Sequence, residues 1–181
     1  VRALTRGDGT VGDDVTANVR NISNIPQELK TPSGFFPTLL QPHPWPEEFE
    51  IRGEIYMPWP AFDRLNEQRI RDEETPFANP RNAASGSLKL IDSKAVAERG
   101  LECTLYHILG EELPFQTHDQ ALKAAQSWGL PVSDKRKICR SIEEIEEFIN
   151  YWDTERKTLL FATDGIVIKI NELPYQEELG Y

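Results

Sequence analysis

The sequence lacks the features that mark several protein classes. Its 181 residues include only two cysteines, Cys103 and Cys139, without a C-x-x-C pair or a Cys/His cluster. This spacing argues against a disulfide framework and a zinc site, and it predicts two reduced thiols in a cytoplasmic protein. No apolar run approaches the roughly 20 residues that a membrane-spanning helix needs, so no membrane association is predicted.

Familiar nucleotide and hydrolase motifs are also missing. The sequence has neither a G-x-G-x-x-G fingerprint nor a P-loop, which excludes those two routes to a bound nucleotide. Ser85 lies in Ser85-Gly86-Ser87 rather than in a G-x-S-x-G elbow, which argues against a serine hydrolase. His43, His107 and His118 show no triad or metal-ligand spacing, so we predict structural roles for them and no metal site.

An excess of basic residues is absent as well. Twenty basic and 30 acidic side chains give a formal net charge of −10, which argues against a general nucleic-acid clamp. A nucleotide site is not excluded, because a few local cations suffice there. The chain opens at Val1 without an initiator methionine or a signal peptide, and we therefore expect a piece of a larger protein.

Strand and helix patterns alternate without a regular βαβ rhythm. This mixture predicts an α+β fold with mainly antiparallel pairing. Apolar spacing, capping boxes and prolines predict strands over 50–57, 101–109 and 164–169, helices over 11–22, 61–70, 117–128 and 141–152, and loops over 32–46 and 72–82.

The most informative segment is Asp164-Gly165-Ile166-Val167-Ile168-Lys169-Ile170. It has the pattern of a tight turn that leads into a strand, with the three isoleucines on one face. A lysine in so apolar a strand suggests that its ammonium meets an anion. The alternative is an edge-strand lysine that reaches solvent.

A second candidate is the charged face of Glu50, Arg52 and Glu54 on the predicted strand 50–57. Glu54 could bond a sugar hydroxyl while Arg52 holds its carboxylate, and Gly53 would let a flat group approach the backbone. The alternative is a solvated, salt-bridged strand that contributes little to stability.

Two glycine-containing segments complete the candidates. In the turn Thr5-Arg6-Gly7-Asp8-Gly9-Thr10, backbone N–H groups could cradle an anion that Arg6 grips, unless this is an ordinary hairpin turn. The segment from Phe77 to Lys89 has small residues that would let backbone lie close to a partner, and Arg81 and Lys89 supply positive charge. Tight internal packing is the alternative there.

Together these segments resemble the adenylation (nucleotidyltransferase) domain of bacterial NAD-dependent DNA ligases. The matching pieces occur in the family's order and cover nearly the whole chain: Thr5 to Thr10, Asp14 to Arg20, Arg52-Gly53-Glu54, Phe77 to Leu88, Trp128 to Ser133, and Asp164 to Lys169.

The resemblance implies a reaction and roles for individual residues. A lysine attacks the α-phosphorus of NAD, and the AMP is passed through the 5′-phosphate at a nick in double-stranded DNA, which is then sealed. Arg6 and Glu54 would contact adenosine, Tyr106 would stack on adenine, and Lys169 would contact the α-phosphate. By the same resemblance Arg81 and Lys89 would meet DNA or nucleotide phosphates, and Asp164 would support catalysis. Mg²⁺ is the implied metal, while zinc would belong to another domain of the parent enzyme.

One departure from the family pattern matters. The family's nucleophile lies in a K-x-D-G motif upstream of the Arg6 turn, and no K-x-D-G occurs in the chain. Residues 1–181 are therefore interpreted as the central part of an adenylation domain, truncated at both ends and inactive alone. The implied fold is two mainly antiparallel sheets flanked by helices, and an exposed sheet edge would favour dimerisation.

Two other functions stay open at this point. One is a nucleotide- or partner-binding module that never catalyses. The other is an ATP-using ligase or capping-type enzyme, against which the Arg6 turn and the Asn79-Pro80-Arg81-Asn82-Ala83 segment argue.

Overall fold

The computed structural model describes residues 1–38, 41, 43–111 and 113–179. The described chain mixes helices with one two-stranded antiparallel sheet, so the α+β prediction is confirmed. It divides into two compact units: the first comprises Val1–Gln27, Ile55–Cys103 and Thr158–Thr163, and the second comprises Glu28–Glu54, Thr104–Lys157 and Asp164–Tyr181.

The sheet pairs the two strands that the apolar alternation predicts. Strand β1 spans Glu50–Tyr56 and strand β2 spans Glu102–Leu109. Gly53 explains how close they lie, because a Cβ placed there would stand 2.5 Å from the backbone oxygen of Thr104. The space beside Gly53 is therefore occupied by β2, where the sequence suggested a flat ligand.

The helices of the first unit are short, apart from α2. They are α1 (Thr16–Val19), α2 (Trp59–Arg71), α3 (Pro80–Leu88) and α4 (Ser93–Glu98). Helix α1 packs against α4 and α2 packs against α3. The predicted helix over 11–22 is thus reduced to one turn, because residues 4 and 14 pair in an antiparallel bridge instead.

Helix α3 corrects a second prediction. The sequence's prolines suggested a loop through residue 82, but the loop ends at Asn79, whose side-chain oxygen accepts the N–H of Asn82 at 2.8 Å. Pro80 follows at the first helical position, where a missing N–H costs nothing. The small side chains of Ala83, Ala84 and Ser87 are buried on one face of α3, as expected if they serve tight internal packing.

The second unit is built on a tryptophan core. Trp128 is 2% exposed and packs with Ile108, Ala121 and Ala125. Partly buried side chains surround this cluster: Leu29, Trp45, Phe49, Ile51, Leu113, Phe115, Ala124, Leu130 and Val132. The residues from Trp128 onward, part of the family-like pattern, therefore have a packing role.

Two predicted capping boxes begin helices of this unit. Helix α5 (His118–Ser127) has the reciprocal Thr117 and Gln120 bonds, and Gly129 follows its end with φ +86°. Helix α6 (Ile142–Glu155) is capped by Ser141, and a 3₁₀ turn over Arg156–Thr158 and helix α7 (Leu173–Leu179) follow.

The predicted strand over 164–169 is wrong. These residues have no regular secondary structure, and Val167, Ile168 and Ile170 are exposed. A strand requires ladder bonds to a neighbour, and within the described residues this segment has none. No helix in the described part of the chain has both the length and the apolar character needed to cross a membrane.

Candidate adenylate site

The segment that carries Lys169 is tied to the start of α5. The backbone oxygen of Asn171 accepts the N–H of His118 at 2.7 Å, and the Asn171 side-chain oxygen accepts the N–H of Asp119 at 3.1 Å. Gln176 donates from its side chain to the Ile170 carbonyl. These bonds fix the chain immediately after Lys169, although the segment itself is irregular.

Lys169 meets two consecutive residues of β2. Its Nζ lies 5.9 Å from the centre of the Tyr106 ring, within range of a cation–π contact. The same Nζ lies 3.4 Å from Nδ1 of His107. Tyr106 is 43% exposed whereas His107 is only 4% exposed, so a ring available to a ligand adjoins a buried imidazole. The structure thus brings together two residues that the sequence predicted for one site.

The electrostatics of this group follow from burial and neighbouring cations. Burial, and next the charge of Lys169, lower the pKa of His107 to about 4, so the imidazole is neutral at pH 7. Burial, and next the Arg52 guanidinium, lower the pKa of Lys169. The pKa of His118 is lowered first by burial and then by Lys169. Of the two cations that act on His107, Lys169 therefore lies near the exposed Tyr106 ring, whereas Arg52 is offset by Glu50 at 2.6 Å.

The charged face of β1 differs from the expectation. Arg52 Nε pairs with Glu50 at 2.6 Å, with no Arg52–Glu54 ion pair among the described residues. Side chains two apart on a strand share a face, so either neighbour was within reach. Glu54 lies exposed on β1. Its bond to a ribose hydroxyl stays a prediction.

The Arg6 turn, in the first unit, matches the hairpin alternative. Asp8 Oδ1 accepts the N–H groups of Thr10 and Val11 at 2.8 and 2.7 Å. The N–H of Gly9 bonds the Arg6 carbonyl at 3.0 Å. Because these donors are engaged within the turn, they are not directed at an external anion. Arg6 itself is exposed, and its contact with adenosine stays a prediction.

The two predicted phosphate cations, Arg81 and Lys89, also lie in the first unit. Arg81 is exposed in the first turn of α3, and Lys89 follows the helix end. Lys89 Nζ pairs with Asp13 at 2.9 Å beside an open cavity of about 450 Å³ that Asp13 and Asp14 also line. A phosphate that bound Lys89 would have to compete with these carboxylates.

His107 and His118 are the members of the group that sequence reasoning missed. Their rings meet edge to face at 5.4 Å, although 11 positions separate them along the chain. The one available signal was a histidine beside the predicted adenine-stacking tyrosine. Asp164 is exposed, and its supporting role stays a prediction.

Metal ligation has no evident place in the described residues. They contain no group of three or more His, Cys, Asp or Glu side chains arranged to hold an ion. Carboxylates or imidazoles in such a group are what a protein-held divalent cation needs.

Comparison with known proteins identifies similar chains. The family model described as NAD-dependent DNA ligase adenylation domain matches residues 1–181. A protein named DNA ligase from Phocaeicola vulgatus is 51% identical over 181 residues, 100% of this chain and 26% of that protein. DNA ligases from Parabacteroides distasonis and Flavobacterium johnsoniae are 49% and 48% identical, over 99% and 100% of this chain. The chain spans about a quarter of the length of these relatives.

Proposed function

This chain belongs to the family of NAD-dependent DNA ligase adenylation domains, and we propose that it supplies the adenylate-binding part of an enzyme that seals nicks in duplex DNA. The observation that carries the proposal is the approach of Lys169 to Tyr106 within the second unit. An exposed aromatic face suits a purine base, and a cation beside it suits the phosphate joined to that base through ribose. Glu54 and Arg6 are proposed as further adenosine contacts.

The proposed reaction follows the family's chemistry. A lysine of a K-x-D-G motif attacks the α-phosphorus of NAD, forming a phosphoramidate and releasing nicotinamide mononucleotide. The AMP then moves to the 5′-phosphate at the nick, and the 3′-hydroxyl displaces it as the phosphodiester forms. The ammonium of Lys169 would stabilise negative charge that develops on the α-phosphate. Arg81 and Lys89 are proposed contacts to DNA or nucleotide phosphates, and Asp164 is a proposed supporting residue.

The remaining parts of the proposal concern the whole enzyme. We propose that residues 1–181 form the central part of the adenylation domain of a cytoplasmic bacterial enzyme, with Mg²⁺ bound alongside the substrate and zinc in another domain. The finer fold would be two mainly antiparallel sheets flanked by helices. A sheet edge left unpaired by the missing K-x-D-G strand would favour dimerisation, which light scattering after size-exclusion chromatography would detect.

Titration calorimetry with AMP and with NAD tests the adenylate site. Loss of a stacked base typically costs about 1–3 kcal/mol, so Tyr106→Ala should weaken AMP binding by about five- to 150-fold. Lys169→Met should weaken AMP more than adenosine, because only AMP carries the phosphate. Lys135→Met is the matched control, since Lys135 pairs with its neighbour Asp134. Equal AMP affinity in all four proteins would refute the site, as would wild-type protein that binds no adenylate.

The missing K-x-D-G gives a separate test. Incubated with NAD and Mg²⁺, the 181-residue chain should show no added AMP mass by mass spectrometry. Full-length relatives that contain the motif serve as the positive control. An AMP adduct on this chain would contradict the proposed inactivity and would reveal a different nucleophile.

A non-catalytic binding module is the second candidate. It shares the adenylate site, so AMP binding alone does not separate it from the ligase. Nick sealing by the full-length gene product does: a product that binds AMP but never forms enzyme-AMP would favour the module.

A further inference from the structure

The contact between Lys169 and His107 bears on the chemical state of the imidazole. An ammonium nitrogen only donates hydrogen bonds, so this 3.4 Å contact is a hydrogen bond when Nδ1 offers a lone pair. The neutral tautomer with its proton on Nε2 provides that lone pair. A protonated His107 would place a second positive charge against Lys169.

The surroundings of His107 favour this neutral state. His107 is 4% exposed. Among the described residues, Lys169 and Arg52 act on it with positive charge, His118 adds to them when protonated, and Glu50 opposes them. The edge of His118 meets the His107 ring at 5.4 Å with the ring planes 69° apart. This ring contact places His118 beside the strand that carries the exposed tyrosine.

The tether at Asn171 has a related effect. It holds the chain two residues beyond Lys169 against the first residue of α5, which is His118. The backbone near Lys169 and the histidine pair are thus attached to the same helix start. The long lysine side chain would otherwise be free to sample many rotamers in solvent.

We propose that His107 is a positioning residue that accepts a hydrogen bond from the Lys169 ammonium and holds it beside the Tyr106 ring. The adenylate part of this inference rests on the proposed function. The hydrogen bond itself does not, and it is measurable without any nucleotide. In this arrangement His107 keeps one cation directed toward the place where the phosphate would lie, and it touches no reacting atom.

The test combines NMR spectroscopy and calorimetry on the 181-residue chain. Long-range ¹H–¹⁵N spectra at pH 7 should show His107 with Nδ1 unprotonated and Nε2 protonated. In Lys169→Met the preference for this tautomer should weaken, and the pKa of His107 should rise because a nearby positive charge is gone. In His107→Phe the Lys169 side chain should lose its acceptor, and its Cε resonance should titrate at lower pH than in wild type.

Calorimetry then tests whether the position of the Lys169 ammonium affects AMP binding. One hydrogen bond typically contributes about 1 kcal/mol, so His107→Phe should weaken AMP binding about fivefold. His107→Gln should recover most of the affinity, because its amide oxygen is an acceptor. His43→Phe is the control, since His43 bonds the Trp45 carbonyl and stacks on the Trp45 ring instead.

The outcomes separate the two proposals. A protonated Nδ1 at pH 7, or a tautomer and titration unchanged by Lys169→Met, would overturn the positioning role whatever AMP does. Wild-type protein that binds no AMP would overturn the proposed function, while the NMR result would still decide the hydrogen bond. If His107→Phe fails to fold, the wild-type and Lys169→Met spectra remain decisive.

Discussion

Acidification should destabilise the protein through His107. Its folded-state pKa is about 4, whereas an unperturbed histidine titrates near 6.5. Between these two values the unfolded chain binds a proton that the folded chain does not, so stability falls as the pH drops through this window and is unaffected above it. The difference between these two pKa values corresponds to about 3 kcal/mol in full, and about 2 kcal/mol of it is lost by pH 5.

The assay is urea unfolding of wild type and His107→Phe at pH 7, 6 and 5, followed by tryptophan fluorescence. Carboxylates also begin to titrate near pH 5, but their contribution is common to both proteins and cancels in the difference. The wild-type protein should lose about 2 kcal/mol relative to His107→Phe between pH 7 and pH 5. His43→Phe, which replaces a histidine outside this group, is the comparison protein.

A stability difference between wild type and His107→Phe that stays constant with pH would refute this reasoning. It would mean that His107 binds its proton equally well in the folded and unfolded chains, and hence that burial and the Lys169 charge do not act on it as described. Lys169→Met supplies a second check. Without that ammonium the pKa of His107 should rise toward its ordinary value, and the acid sensitivity should shrink.

Two further predictions concern the backbone. Gly53→Ala should destabilise the protein by about 1–3 kcal/mol in urea unfolding, because the added Cβ would lie 2.5 Å from the Thr104 backbone oxygen. Gly165→Ala is the control: its Cβ would meet nothing within 4 Å, so the unfolding midpoint should not change. Equal effects of the two substitutions would refute the packing argument. Asn79→Ala should lower the free energy of unfolding by about 1 kcal/mol, because the N–H of Asn82 loses the side-chain acceptor that caps α3. Asn79→Asp should retain this cap. An unchanged thermal midpoint in Asn79→Ala would contradict the capping role.

The helix starts show what local sequence can and cannot reveal. Thr117 with Gln120 and Ser141 before an apolar run are complete local signals, and α5 and α6 begin where these signals predict. Asn79-Pro80 is also a helix-start signal, but the number of prolines nearby favoured a loop. The cap bond to Asn82 and the burial of the small face decided for a helix.

The segment 164–170 shows the opposite case. Its alternation of apolar residues satisfies the pattern of a strand, yet a pattern supplies no partner. In the described residues the segment has no ladder, and its apolar side chains remain exposed. Strand formation depends on distant backbone groups, which a local window of sequence does not contain.

The sequence by itself determined the family, the α+β class and both paired strands, and it predicted Tyr106 and Lys169 as adenylate contacts. These features depend on the identity and order of residues, which can be read within short segments or summed over the whole sequence. Only the tertiary structure decided that Arg52 pairs with Glu50 and that β2 fills the space beside Gly53. It also placed a buried histidine against Lys169 across 62 positions of sequence, because burial and distance arise only when remote segments pack together.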